Sequence, residues 1–295
     1  MKRNSARLCA FVCLAAFGLS SSASAELIYG VAAVGNATGL LTWDSSSPTA
    51  VTSGTFVSGL LVNETLVGID YRPANGQLYG LGSSSRLYTI NTGTGVATEV
   101  PPPGAFTPAL NGFNFGFDFN PTIDRIRVVA ETNSNMVINP NDGSAAAFTS
   151  LFFGAADPNF GVDPNVVHSA YTNNFLGAQT SQLYGIDSGL NILVTQANSA
   201  GTLGTVGPLG VDVGSVGGFD ISGATGTAYA ALLPAGSSVS NFYSINLANG
   251  AATNLGAIDG GLIITAMTVA IPEPATLGMS AFALIGGLLL RRKSC

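Results

Sequence analysis

Three observations predict an all-β chain closed into a β-propeller of five blades. A Gly-apolar-Asp pattern recurs at a spacing of about fifty residues. Each recurrence opens a series of short β-rich stretches broken by Asn, Asp and Gly. The two ends of the body then supply two halves of one further unit.

The pattern opens "GIDYRPANGQLYGLG" at Gly68, "GFDFNPTIDRIRVVA" at Gly116 and "GFDISGATGTAYAAL" at Gly218. The first interval is 48 residues and the second is 102, two steps of 51. The skipped step falls near residue 167, where "HSAYTNNFLGAQTSQLYGID" keeps the strand-turn-strand rhythm without the Gly-Asp pair. Each full unit continues into a second hairpin signal: "RLYTINTGTGVATEV" from Arg86, "NMVINPNDGSAAAF" from Asn135 and "NFYSINLANGAATNL" from Asn241. A unit therefore reads as four antiparallel strands.

One more step beyond Gly218 reaches "ITAMTVA", Ile264 to Ala270, a first strand with no partner after it. "ELIYGVAAVG", from Glu26, reads as an orphan second strand, because Leu27-Ile28-Tyr29-Gly30 echoes Leu78-Tyr79-Gly80 and Leu183-Tyr184-Gly185. Pairing the last strand with the first closes the ring and removes exposed strand edges. A six-bladed ring and a two-sheet sandwich are the alternatives. No stretch of the body carries a helical period, and Gly at 38 of the chain's 295 residues suits turns.

Both ends read as processing segments. Lys2, Arg3 and Arg7 precede an apolar run from Leu8 to Leu19, and Ala23-Ser24-Ala25 supplies the small-x-small site that signal peptidase accepts. The apolar run is too short for an ordinary span of ~20 residues. Cleavage after Ala25 removes Cys9 and Cys13 and leaves Glu26 first. The organisation is then a signal peptide over 1–25, a repeat body over 26–270 and a tail over 271–295. In that tail Pro272-Glu273-Pro274 precedes an apolar segment, 275–290, and the basic cluster Arg291-Arg292-Lys293.

Without its ends the body has four cations (Arg72, Arg86, Arg125 and Arg127), fifteen acids and no cysteine. Its formal charge of −11 repels phosphates and argues against nucleic-acid binding. No disulfide can staple it, so stability must come from burial.

Candidate chemistry is sparse. In "FGFDFNP", alternation puts Phe115, Phe117 and Phe119 on one face and Gly116, Asp118 and Asn120 on the other. Asp70 and Asp220 hold the equivalent place in their units. One reading is a ring of carboxylates near the axis, a site for Ca²⁺, which prefers oxygen ligands. The plainer reading, favoured because two of five units lack the Asp, is that each carboxylate accepts N–H bonds from its adjoining turn. No other metal or cofactor is expected.

Arg125 and Arg127 share a strand face, where they either clamp a ligand carboxylate or, as expected, pair with neighbouring acids and the turn. "NPNDG", Asn139 to Gly143, reads as a hairpin turn, because the alternation and distal Glu of a calcium loop are missing. His168, the single histidine, cannot build a His-rich zinc site, and no Gly-x-Ser-x-Gly elbow marks a nucleophile for it. It is expected to be solvated or hydrogen-bonded. Trp43 and the scattered Phe and Tyr offer a sugar-stacking platform, with core packing the ordinary alternative.

The tail, Pro272-Glu273-Pro274 followed by the apolar segment and then Arg291-Arg292-Lys293, resembles the PEP-CTERM sorting signal of Gram-negative bacteria that make exopolysaccharide. That resemblance implies export, transient anchoring in the inner membrane and processing by an exosortase, a cysteine transpeptidase-like membrane protein. The basic cluster then stays cytoplasmic while the body lies outside, and the prolines hold the motif extended at the outer interface. The body, through "LVGIDYRPANGQLYGLGSSSRLYTINTGTGVAT" and "GFDFNPTIDRIRVV", resembles an uncharacterised family of secreted bacterial repeat domains of unknown function.

The expected role is a non-enzymatic protein of the envelope or extracellular matrix, its propeller acting as a structural or binding module. Exopolysaccharide is a candidate partner beside the two processing enzymes. The alternatives are a carbohydrate-binding module and a metal-dependent polysaccharide- or lactone-active enzyme built on Asp70, Asp118 and Asp220.

Overall fold

The computed structural model describes residues 25–35 and 37–271. The predicted signal peptide and the apolar segment of the tail lie outside them. Among the described residues, apart from one 3₁₀ turn, Asp259–Gly261, every regular element is a strand.

The strands form five sheets. Blade 1 is built from both chain ends: β1 (Leu27–Val34), β2 (Ala37–Asp44) and β3 (Ser47–Phe56) are joined by β21 (Ile264–Val269). Blade 2 holds β4 (Leu66–Arg72), β5 (Gln77–Gly82), β6 (Arg86–Ile90) and β7 (Ala97–Glu99). Blade 3 holds β8 (Phe115–Asn120), β9 (Arg125–Ala130), β10 (Asn135–Ile138) and β11 (Ala145–Ala147).

Blade 4 has five strands, β12 (Phe152–Phe153), β13 (Val166–Tyr171), β14 (Leu183–Asp187), β15 (Ile192–Ala197) and β16 (Thr202–Pro208). Blade 5 holds β17 (Val213–Ile221), β18 (Ala228–Pro234), β19 (Asn241–Ile245) and β20 (Ala252–Ala257).

The innermost strands β21, β4, β8, β13 and β17 each touch the next around the ring, and β17 returns to β21. The five-bladed reading therefore holds. So does the predicted closure: β21 pairs antiparallel with β1, with Ile28 opposite Val269 and Gly30 opposite Met267. Blade 4 departs from four antiparallel strands, because β12 adds to β16 in parallel.

The core is divided among the five blade interfaces. One buried cluster joins blades 2 and 3 through Tyr79, Leu81, Phe117 and Phe119. Others join blades 4 and 5 around Phe219, 5 and 1 around Trp43 and Phe242, 1 and 2 around Leu40 and Tyr88, and 3 and 4 around Val129 and Phe153. Alternation explains this: Phe117 and Phe119 pack toward blade 2 while Gly116 and Asp118 turn the other way. Trp43 is fully buried and meets Phe242 edge-on, so it belongs to the core and not to a sugar platform.

Glycine opens three of the repeats, at Gly68, Gly116 and Gly218, because the inner strands crowd at the axis. A Cβ on Gly218 would lie 2.3 Å from the Met267 nitrogen, and one on Gly116 2.7 Å from the Ser169 nitrogen. Only a residue without a side chain lets these backbones approach so closely.

Candidate metal centre

An innermost strand is an edge. The N–H groups it turns toward the next blade have no ladder partner, and burial makes an unmet donor costly. The repeat's Asp meets this need across the blade boundary. Asp70 Oδ2 accepts from Phe119 N at 2.8 Å, Asp118 Oδ1 from Tyr171 N at 2.9 Å, and Asp220 Oδ2 from Val269 N at 2.7 Å. In each case the donor follows the equivalent position of the next blade.

Blades 4 and 1 carry Ala170 and Thr268 at that position. The blades after them, 5 and 2, therefore receive no carboxylate from that position. Ile221 N turns to Asp220 Oδ1 at 2.6 Å instead, and Tyr71 N to Asp70 Oδ1 at 2.7 Å. The expectation that each Asp serves its adjoining turn is thus corrected. The acceptors are the predicted ones, but the donors lie on inner strands, mostly of the neighbouring blade.

This arrangement gathers the three carboxylates. One oxygen from each lies within 4.8 Å of the others, and all three residues are buried. Thr268 Oγ1 stands between two of them, 2.9 Å from Asp70 Oδ1 and 3.0 Å from Asp220 Oδ2. Asp118 Oδ2 has no donor; with Asp220 it can share a hydrogen bond only if one of the two is protonated.

Burial lifts the affinity of all three for protons. The charge of Asp220 adds to the rise at Asp70, and those of Asp70 and Asp220 to the rise at Asp118, both well above the usual carboxylate range. Among the described residues no basic side chain compensates by an ion pair; such pairs join Arg72 to Asp124 and Arg86 to Glu99.

His168 stands two residues before Ala170, at the layer that Gly68, Gly116 and Gly218 occupy in blades 2, 3 and 5. It is only 2% exposed, and neither ring nitrogen has a partner. Burial pushes its pKa down to about 4, so the imidazole is neutral. The expectation of a solvated or hydrogen-bonded histidine fails, because blade 4 turns this side chain onto the axis where no donor or acceptor was placed. With those glycines it lines a void of about 10 Å³.

A wider mouth of about 240 Å³ also lies along the inner strands, sharing Phe115 and Gly217 with the void and bounded by Val67, Val167, Val216 and Thr265. Phe113, 88% exposed, stands at its rim.

The other sequence candidates lie elsewhere. Arg127 is buried and donates to Asn135 Oδ1 at 2.7 Å, with Tyr171 Oη at 3.5 Å, instead of meeting an acid. Arg125 bonds the Asp124 carbonyl at 2.8 Å. The two arginines form no carboxylate clamp: Asn135 on the adjoining strand and Tyr171 of blade 4 engage Arg127, while Arg125 bonds the turn as expected. Asn139–Gly143 is the predicted turn, closed by Gly143 N to Asn139 O at 2.9 Å. Pro272, Glu273, Pro274, Arg291, Arg292, Lys293, Ala23 and the rest of the signal segment fall outside the described residues, save Ala25. Sequence reasoning missed Thr268 and Glu64. Thr268 had a signal, since it occupies the Asp position of the closing repeat; Glu64 sits in a loop outside the repeat pattern and had none.

The family model for a domain of unknown function, DUF4394, matches residues 39–268. The chain belongs to the DUF4394 family. A PEP-CTERM protein-sorting motif matches residues 270–293, as the tail's three parts predicted. No curated protein matches the sequence.

Among solved structures, a chain of a nidogen/laminin complex is 9% identical, with a TM-score of 0.46 over 84% of this chain and 99% of that one. A Bacteroides thetaiotaomicron protein of unknown function is 15% identical, with a TM-score of 0.48 over 79% and 58%. Kuenenia stuttgartiensis hydrazine synthase is 17% identical, with a TM-score of 0.38 over 69% and 53%. The match thus spans little more than half of the last two chains.

Proposed function

We propose that this DUF4394 protein is a non-enzymatic module of the cell envelope or extracellular matrix. It is exported, held for a time at the inner membrane by its C-terminal segment, and cut at its sorting motif by an exosortase-type transpeptidase. The sorting motif supports export and processing. Among the described residues no helix is long and apolar enough to cross a membrane.

One observation carries the reading: the motif starts at residue 270, immediately after β21 closes the ring at Val269. Cleavage there leaves the fold intact. The three acids favour this reading over the polysaccharide- or lactone-active enzyme. They converge, but they are sealed, and a polymer cannot touch them.

The direction of β21 adds an orientation. Its first residues, beside Thr265, line the mouth, while Ala270 and Ile271 lie at the other end with Glu26 and Leu27. Six residues of strand span about 20 Å. The tail therefore leaves from the face opposite the mouth, and a tethered molecule presents the mouth outward.

A second reading, recognition of a neutral carbohydrate, is favoured by Phe113, an exposed ring beside a mouth lined by apolar residues, Thr38, Asn114 and Ser215. Intact-mass measurement of the protein from cells with and without the exosortase tests the main proposal. Loss of the tail only when the enzyme is present is expected, and a mature mass that still includes 277–295 in normal cells would refute it.

A further inference from the structure

We infer that the axial column is a divalent-cation site with Ca²⁺ as its occupant: Asp70, Asp118 and Asp220 hold the ion, and a water above it reaches His168. Four observations converge on this. The carboxylates form a compact set sealed from solvent and in no ion pair with a basic side chain. Three buried carboxylates this close cannot all be charged without compensation, which either protons or a cation must supply. Asp118 Oδ2 is buried without a donor.

His168 supplies the independent sign. A neutral imidazole offers one donor and one acceptor, and both are unmet although the residue is buried. The void it lines with Gly68, Gly116 and Gly218 measures about 10 Å³, close to the smallest space that holds one water. The Asp layer follows two residues further along the inner strands, about 7 Å away, so a water in this void, shared with an axial ion, satisfies an imidazole nitrogen that has no protein partner. The mouth shares Phe115 and Gly217 with this void.

The donor chemistry selects the ion. The acids and Thr268 offer only oxygen, which suits a hard cation. Three carboxylates converging in a sealed site suit Ca²⁺, which takes roughly six to eight oxygens in a flexible shell, better than Mg²⁺, which keeps several waters and is usually held by about one or two carboxylates.

The test uses the full chain in detergent, stripped with a chelator and returned to Ca²⁺, Mg²⁺, Mn²⁺ or Zn²⁺. One tightly held Ca²⁺ per chain is expected, with a Tm rise of about 5 °C or more at a hundredfold excess over Kd. Asp118→Asn, which keeps an oxygen for Tyr171, should abolish the rise. The exposed-turn variant Asp142→Asn should keep it. Absence of stoichiometric metal together with no Tm change for any cation overturns the site, as does an unchanged rise in Asp118→Asn. If that variant does not fold, anomalous scattering from wild-type crystals grown with Mn²⁺ decides. A peak among the three carboxylates supports the proposal, and a peak elsewhere or none refutes it.

Discussion

Burial raises the proton affinity of Glu64 and of the axial acids alike, yet the net shifts have opposite signs. Glu64, in the loop before β4, accepts from Leu61 N and Ser84 N, both at 3.2 Å, from the Ser84 hydroxyl, and from Tyr88 Oη at 2.6 Å. Burial raises its proton affinity, but these four donors outweigh it, and the net effect holds Glu64 below the usual carboxylate range. The axial acids also receive hydrogen bonds, yet each has like charges for neighbours and their affinities rise. Donors overcome desolvation for a carboxylate that stands alone and fail for carboxylates that stand together. The two sets also bind different things: Glu64 ties a loop to its own blade, while the axial acids tie one blade to the next.

The largest expected effect follows from that second difference. Asp220→Ala removes the acceptor of Ile221 N and Val269 N and one contact of Thr268. Two buried N–H groups left unmet cost about 3 kcal/mol or more, less whatever the relief of charge crowding returns. Urea denaturation measures the loss. Hydrogen exchange should show β21, the strand that closes the ring, losing protection first. A loss confined to blade 5 would break the claim that the acid works between blades.

Next comes Ala170→Asp, which restores the repeat's acid to blade 4. It offers Ile221 N an acceptor from the blade behind, beside Asp220 Oδ1, but adds a fourth carboxylate to the axis. If crowding of charge governs this region, metal-free protein loses about 2 kcal/mol at neutral pH. A gain in stability would mean that the acceptor from blade 4 matters more there than charge.

How much of this was legible in the sequence depends on whether the repeat itself encoded it. Gly68, Gly116 and Gly218 recur because inner strands crowd, and Asp70, Asp118 and Asp220 recur because those strands present unpaired N–H groups. Their common cause made the ring, its five blades and its closure between Leu27 and Val269 readable. The direction of the acids' hydrogen bonds was not readable, since it depends on which blade stands behind, and Ala170 and Thr268 break the pattern there. His168 misled for the same reason. A histidine in a polar-looking strand suggests water, whereas its place at the glycine layer, visible only once blade 4 is aligned by structure, puts it on the axis. The parallel strand Phe152–Phe153 was missed because two residues carry no period.

Glu64→Gln sharpens the contrast by pH. A carboxylate held below its unfolded value adds stability that is complete above that unfolded value, near 4.5, and is lost as pH falls through the lower folded one. The variant should therefore be weaker than wild type by about 1–2 kcal/mol at pH 7, and the gap should narrow in strongly acidic solution. Parallel denaturation curves at the two pH values check this. A gap that widens in acid would show that the donors around Glu64 do not favour its charged form.

Thr268→Val gives the smallest effect and the finest distinction. One hydroxyl proton cannot serve both Asp70 Oδ1 and Asp220 Oδ2, so one of the two contacts must be completed from the carboxyl side or by a cation. Replacing the hydroxyl with a methyl of similar shape removes about 1 kcal/mol of hydrogen bonding and leaves two acceptors facing an apolar group. In chelator-treated protein the loss should be reproducible by thermal melting and recovered by Thr268→Ser, which keeps the hydroxyl. If Thr268→Val costs nothing while Asp220→Ala costs several kcal/mol, the two carboxylates do not compete for that proton. The unfavourable crowding then lies between Asp118 and its neighbours, at the oxygen that has no donor.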